Sequence, residues 1–283
     1  MQTNQQPRLI LRFDIDTVTC MRRGVPRLLD IGKKQDVRFT FFANMGRAVS
    51  YPALIRRRLQ NIQDTQLLIP AKKLTSLQKL GLRDWLITVV LNPRVGLNTP
   101  VLLRAIIEEG HDLGLHGGAN HGTWHHESKG WSRQKLQSEI EWGLLAMRTA
   151  GLPRPKTFAS PGFTSPEQLT EVLEDLTFEM MADSHVYGRS ALGLKKAATV
   201  LKNVNTGLLG EPGGVGCLEH WTASKLSRSE VKDRLKPCFD TGHDFILYDH
   251  PAFIASVDSS LLNFVIDRWR NWGGQITPLS QLG

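Results

Sequence analysis

The chain has 283 residues, 41% of them hydrophobic and 22% charged, with a formal net charge of +8. That length fits two small domains or one large α/β barrel, and the apolar share suffices for a sizeable core. Three cysteines (20, 217 and 238) without a CxxC pair exclude a disulfide framework and suit a reducing compartment.

The first residues, Met1 to Gln6, are polar and uncharged, with no basic start and no apolar run of signal-peptide length. The longest strongly apolar run, Trp85 to Leu91, falls far short of the ~20 residues that span a bilayer. The protein is therefore expected in the cytoplasm, soluble or attached to a membrane surface.

Leu9 to Phe13 reads as a first strand. Thr99-Pro100 opens a helix with a cap residue and a proline at the first helical position, and Gly110 closes it. A strand over Asp112 to Leu115 follows. Ser132 starts an amphipathic helix with Leu136, Ile140, Leu144 and Met147 on one face, stopped by Gly151. Lys156 to Ala159 is a short strand. Ser165-Pro166-Glu167-Gln168 carries a capping-box pattern and predicts a helix to about Leu176. Strands at Phe178 to Ala182 and Phe245 to Tyr248 precede a helix over Ser259 to Trp272, which ends at Gly273-Gly274. A short strand at Gln275 to Thr277 comes last.

Repeated strand-then-helix units imply a mainly parallel sheet with helices outside it. No repeat, low-complexity linker or domain boundary interrupts the chain, so one domain over residues 1–283 is expected, with a basic insertion at about 50–97. Chemistry-bearing residues follow both the first and the last long strand, so the sheet is expected to close into a (β/α) barrel. In such barrels the active site lies at the C-terminal strand ends.

Three sets of residues occupy such ends. Asp14 and Asp16 lie two apart, so an extended chain points both to one side, where two acids repel unless a cation or proton relieves them. The bland alternative is a strand-end turn with solvated carboxylates. His116, Asn120, His121, His125 and His126 cluster directly after a strand, and imidazoles sharing a loop can meet at one zinc-like ion. His250 follows a strand and gains weight from its agreement with the other two sets.

The order of these motifs resembles the polysaccharide deacetylase family, related to chitooligosaccharide deacetylase. The Asp14-x-Asp16 spacing, with Arg12-Phe13 before it and Thr17 after it, is most similar to one branch, the deformylases acting on formamido-arabinose linked to undecaprenyl phosphate. Gly24 to Leu29, Thr40-Phe41-Phe42, Asn44 to Arg47 and Gly114-Leu115-His116 carry the same resemblance.

The resemblance implies a distorted, mainly parallel (β/α) barrel of the polysaccharide deacetylase type. It also implies a metal-dependent hydrolase removing a formyl or acetyl group from an amino sugar, with Asp14 as base, His250 as acid, and Asp16 and His116 as metal ligands. The metal is expected to be zinc, with manganese, cobalt or nickel as alternatives. Arg12, Trp124, Pro161, Gly162 and Phe163 are taken as substrate-contacting.

Two departures stand out. The family's second metal histidine falls at Asn120, so either His121 ligates from one place later or the Asn120 carbonyl does. The family's third motif has an arginine that orients the base, and Ala159-Ser160-Pro161-Gly162 lacks it; Arg12 and Arg154 are the candidates to replace it. Alternatives to the lipid-linked substrate are a soluble polysaccharide deacetylase or related amidohydrolase, or a barrel that binds carbohydrate or lipid without catalysis.

The insertion concentrates the charge. Between Ile55 and Gly96 stand eight Lys/Arg and two Asp, a net +6. Pro52 to Ile62 reads as a short helix with a cationic flank, and Leu67-Leu68-Ile69 and Trp85-Leu86-Ile87 add apolar groups. Such a mixture suits an anionic membrane surface, against the simpler reading that the apolar residues pack onto the barrel. No nucleic-acid partner is expected, because aromatics are few there and no reader motif occurs.

Overall fold

The computed structural model describes residues 6–59, 71–183, 201–204, 206–256 and 259–282, with only the backbone of Arg57, Lys202 and Asn203. Of the insertion, Gln60 to Ile62 and Leu67-Leu68-Ile69 lie outside the described residues.

Eight strands are described: β1 (Arg8–Ile15), β2 (Thr40–Ala43), β3 (Asp112–His116), β4 (Thr157–Ala159), β5 (Met180–Met181), β6 (Lys202–Asn203), β7 (Phe245–Asp249) and β8 (Gln275–Ile276). They form a parallel sheet in the order β6-β5-β4-β3-β2-β1-β7, with β8 on β1 beyond the end of β2. The sheet curls into an incomplete barrel. It closes where the first long strand meets the last, and it opens between β6 and β7. Among the described residues, a single backbone bridge from Gly207 N–H to the Ile246 carbonyl (3.0 Å) spans that opening.

The helices are α1 (Val25–Gln35), α2 (Tyr51–Leu59), α3 (Ser76–Leu86), α4 (Pro100–Glu108), α5 (His121–Glu127), α6 (Arg133–Thr149), α7 (Leu169–Asp175), α8 (Cys217–Ala223), α9 (Arg228–Asp240), α10 (Pro251–Ser256) and α11 (Ser260–Asn271). Ser132 caps α6 as its sequence predicts, accepting from Lys135 N–H. The capping box at Ser165 does not form. The Ser165 hydroxyl instead donates to the buried Asp183 carboxylate, and the helix starts later, at Leu169. Ser165 is buried beside Asp183, which also takes the Ser160 N–H and hydroxyl, whereas the helix end at Gln168 is exposed and water can satisfy it.

The period of two along β1 sorts its residues. Leu9, Leu11, Phe13 and Ile15 enter the layer between sheet and helices, while Ile10 joins Phe42, Ala159, Ile246, Leu279 and Leu282 inside the barrel. Arg12 and Asp14 share the inner face with Ile10. The barrel is thus packed with apolar side chains at the N-terminal strand ends and lined with charged ones at the C-terminal ends.

Within the insertion, α2 and α3 lie on the surface. Trp85 is half-buried and packs onto the main core, which agrees with the simpler reading for that residue. Leu54, Ile55, Leu59, Leu77, Leu82, Leu86, Val90 and Leu91 do remain exposed.

Candidate metal centre

Asp16 leaves the end of β1 and meets three histidines. Its Oδ1 lies 3.2 Å from His116 Nε2 and 3.3 Å from His121 Nε2, and its Oδ2 lies 3.1 Å from His250 Nε2. His116 is the last residue of β3, His121 the first of α5, and His250 follows β7. The parallel pairing of β1 with β2, β2 with β3 and β1 with β7 brings these ends together.

Asp16, His116 and His121 each offer one donor atom to a common point. Tetrahedral ligands about 2.0–2.2 Å from zinc stand about 3.3–3.6 Å from one another, close to the separations of Asp16 Oδ1 from the two imidazoles. Asp16 Oδ1 and His121 Nε2 are also buried without a hydrogen-bond partner, a costly state that an ion would relieve. His116 Nδ1 faces the Ala159 carbonyl at 2.9 Å, and a carbonyl can only accept, so that nitrogen carries the proton and Nε2 is free to ligate. The residues fit a divalent metal ion with a two-histidine, one-carboxylate set.

Asn120 is otherwise engaged. Its Oδ1 accepts from Thr123 N–H (2.9 Å) as the cap of α5, and its Nδ2 donates to the Val49 carbonyl (3.0 Å). Of the two alternatives open from the motif, His121 is the one brought to Asp16 and His116.

Arg12 is fully buried and grips Asp14 with two bonds, Nε–Oδ1 2.8 Å and Nη2–Oδ2 2.7 Å. Its remaining nitrogen donates to the Ala182 carbonyl and Thr206 hydroxyl. The expectation of a substrate contact is therefore corrected, since every guanidinium nitrogen is bonded inside the protein. Arg12 holds the acid that the Ala159 position leaves without an arginine. Arg154, the other candidate, is exposed and bonded to the Leu176 carbonyl. Asp14 Oδ2 lies 3.6 Å from His116 Nε2, beside the ligand set.

Trp124 is also corrected. It is fully buried against Trp131 and Phe158, with its indole N–H donated to the Thr164 carbonyl. Pro161 is buried as well. Gly162 is exposed and Phe163 half-buried, its ring 4.9 Å from that of Tyr248.

Burial works against a charge on Asp16, but the nearby His121 and contacts with His116 and His250 hold its carboxyl well below the usual range. Burial likewise opposes charge on His116 and His250. Asp14 and Asp16 nevertheless lift His116, and Asp16 lifts His250.

Three comparisons bear on this arrangement. The polysaccharide deacetylase family model matches residues 71–181, a stretch that includes His116, Asn120 and His121 but not Asp14, Asp16 or His250. The probable 4-deoxy-4-formamido-L-arabinose-phosphoundecaprenol deformylase ArnD of Shewanella sediminis is 30% identical over 152 residues. That match covers 51% of this chain and 46% of the relative, so the chain spans about half the length of the curated protein it matches. Among solved structures, a protein assigned as a polysaccharide deacetylase from Mycobacterium smegmatis superposes with a TM-score of 0.60 at 15% identity, over 100% of this chain and 90% of that one. The fold is that of the polysaccharide deacetylases.

A carbohydrate esterase family 4 pseudoenzyme from Bacillus anthracis also has this polysaccharide deacetylase fold (TM-score 0.51, 11% identity, 99% of this chain and 66% of that one). The fold alone therefore does not decide activity, and the side chains must.

Three residues beside the site escaped the sequence reading. Tyr248 O–H stands 2.9 Å from His250 Nε2. The Asp249 carboxylate accepts from the backbone N–H of His250 (2.7 Å) and of Glu219 (2.9 Å). Burial pushes Asp249 up to about 6. Tyr248 and Asp249 could have been suspected from their position before His250. Glu219, between Cys217-Leu218 and His220-Trp221, gives no such signal.

Proposed function

We propose that the protein is a metal-dependent hydrolase that removes an N-formyl or N-acetyl group from an amino sugar carried on a polyprenyl phosphate. The observation that carries this reading is the trio of Asp16, His116 and His121, in which Asp16 Oδ1 and His121 Nε2 are buried and unpartnered, between Asp14 on one side and His250 on the other.

When bound there, a divalent ion would polarise the amide carbonyl and acidify water. Asp14, immobilised by Arg12, would accept a proton from the attacking water. His250 would give a proton to the sugar nitrogen as the C–N bond breaks and formate or acetate leaves. Tyr248 and Asp249 would hold the His250 ring and backbone. Zinc is the first expectation, with manganese, cobalt or nickel able to serve the same donor set.

The lipid-linked substrate draws support from the likeness to the Shewanella sediminis protein and from the insertion. Among the described residues, every exposed large hydrophobic except Leu145 lies between Tyr51 and Val101. Arg56, Arg58, Lys72, Lys73 and Arg83 are exposed in the same region. No described helix is long and apolar enough to cross a membrane, so the reading is peripheral attachment to an anionic inner membrane face.

Metal content and acyl release from formylated and acetylated amino sugars test the proposal, with Asp16→Ala and His121→Ala as controls. The expected result is one divalent ion per chain, turnover that chelation abolishes and metal restores, and loss of both in the variants. Absence of metal under any loading would overturn it in favour of a binding module. Co-sedimentation with anionic but not neutral vesicles is expected at low salt, and failure to sediment would remove the membrane element.

A further inference from the structure

Behind His250 lies a buried chain of charge that begins in the insertion. Glu219, 1% exposed, receives Lys79 Nζ on Oε2 (3.1 Å) and Leu74 N–H on Oε1 (2.9 Å). Lys72 N–H bonds the neighbouring His220 Nδ1 at 3.0 Å. Glu219 in turn donates its backbone N–H to Asp249, whose other oxygen receives the backbone N–H of His250. One oxygen each of Glu219 and Asp249 and one ring nitrogen of His250 lie within 4.8 Å of one another. α3, which carries Lys79, also packs on α10 directly after His250.

Two carboxylates this close and this buried repel unless one is neutralised. Among the described residues, Asp249 has two backbone donors and no cation at hydrogen-bond distance. Glu219 has Lys79, at 22% side-chain exposure, and the Lys79 charge is near enough to act on His250 itself. Without that ammonium, Glu219 would keep a buried charge on one N–H and would move to relieve it. Movement of Glu219 would shift Asp249, and with it the peptide that aims His250.

We propose that Lys79 is a positioning residue for His250, acting through the buried carboxylate of Glu219. The insertion thereby completes the proton-donating side of the site. This inference rests on the deacylase reading above.

The test compares Lys79→Met, Lys79→Arg, Glu219→Gln and the Lys79→Met/Glu219→Gln pair in the metal-loaded full chain. It follows acyl release and the His250 ring resonances by NMR. Lys79→Met is expected to lower kcat about 10–100-fold, the scale of outer-shell losses, with KM and metal content unchanged. Lys79→Arg should recover most of the loss. The double variant should be less impaired than Lys79→Met, because Glu219→Gln removes the stranded charge, and Glu219→Gln alone gives a second route to the coupling. The His250 resonances should move in Lys79→Met and return in Lys79→Arg. Wild-type kcat in Lys79→Met, equal impairment in Lys79→Arg, or unmoved resonances would each overturn the proposal. A wild-type chain that turns over no N-acyl amino sugar would overturn the deacylase reading instead, and the resonances would then decide the positioning alone.

Discussion

Arg12 and Asp14, two residues apart on one strand, form a bidentate ion pair at 2.7 and 2.8 Å in which both side chains are almost completely removed from solvent. The alternation of β1 allows it, since both side chains project from the inner face of the barrel. Arg12 therefore cannot be replaced without stranding a buried acid. Arg12→Met is expected to cost about 3–5 kcal/mol of stability, measured by urea unfolding. Arg12→Lys should rescue little, because an ammonium cannot reproduce the two-pronged geometry. A loss below about 1 kcal/mol, the scale of a surface pair, would contradict the structure.

Asn120 and His121 should separate cleanly when changed. Asn120→Ala removes a helix cap and should cost about 1 kcal/mol while metal content holds. His121→Ala should leave stability in the metal-free state nearly unchanged and weaken metal binding by more than the roughly 100-fold upper range of outer-shell changes. Elemental analysis after equilibrium dialysis distinguishes them, and the opposite pattern would make Asn120 the ligand.

Asp249 sets a pH dependence. Its carboxyl is raised from 3.8 to about 6 by burial, so the folded chain binds that proton more tightly than the unfolded chain does. The stability it contributes is fully present below about pH 4 and is lost as pH rises through about 6, a difference of about 3 kcal/mol. Urea unfolding of the metal-free protein between about pH 4 and 7 should show this decline relative to Asp249→Asn, whose side chain does not titrate. Parallel stability profiles for the two proteins would contradict it.

Gly216 makes room for the same carboxylate. A Cβ there would stand 2.5 Å from Asp249 Oδ1. Gly216→Ala is expected to destabilise by about 1–3 kcal/mol through overpacking and to lower kcat by disturbing the residue before His250. A thermal melt and a turnover assay check both, and an unchanged kcat would mean that Asp249 can shift without moving the histidine.

Much of this arrangement can be read from local pattern. The period of two placed Asp14 and Asp16 together, the strand-end rule singled out His116 and His250, and Ser132 capped its helix as predicted. What local pattern could not reveal depends on partners distant in the chain. Ser165 has the look of a cap until Asp183 arrives, and Trp124 has the look of a substrate contact until Trp131 and Phe158 enclose it. Glu219 becomes informative only when Leu74 and Lys79, 145 and 140 residues away, meet it.

The meeting of β1 with β7 also has a kinetic side. Asp16 and His250 are 234 residues apart, yet their strands are hydrogen-bonded neighbours. Such non-local pairing is slow to form and depends on a late-synthesised segment. A nascent chain would carry the Asp16, His116 and His121 donors long before β7 emerged. If those donors hold an ion as proposed, binding it would be coupled to folding, because a preformed site rarely exists in an unfolded chain.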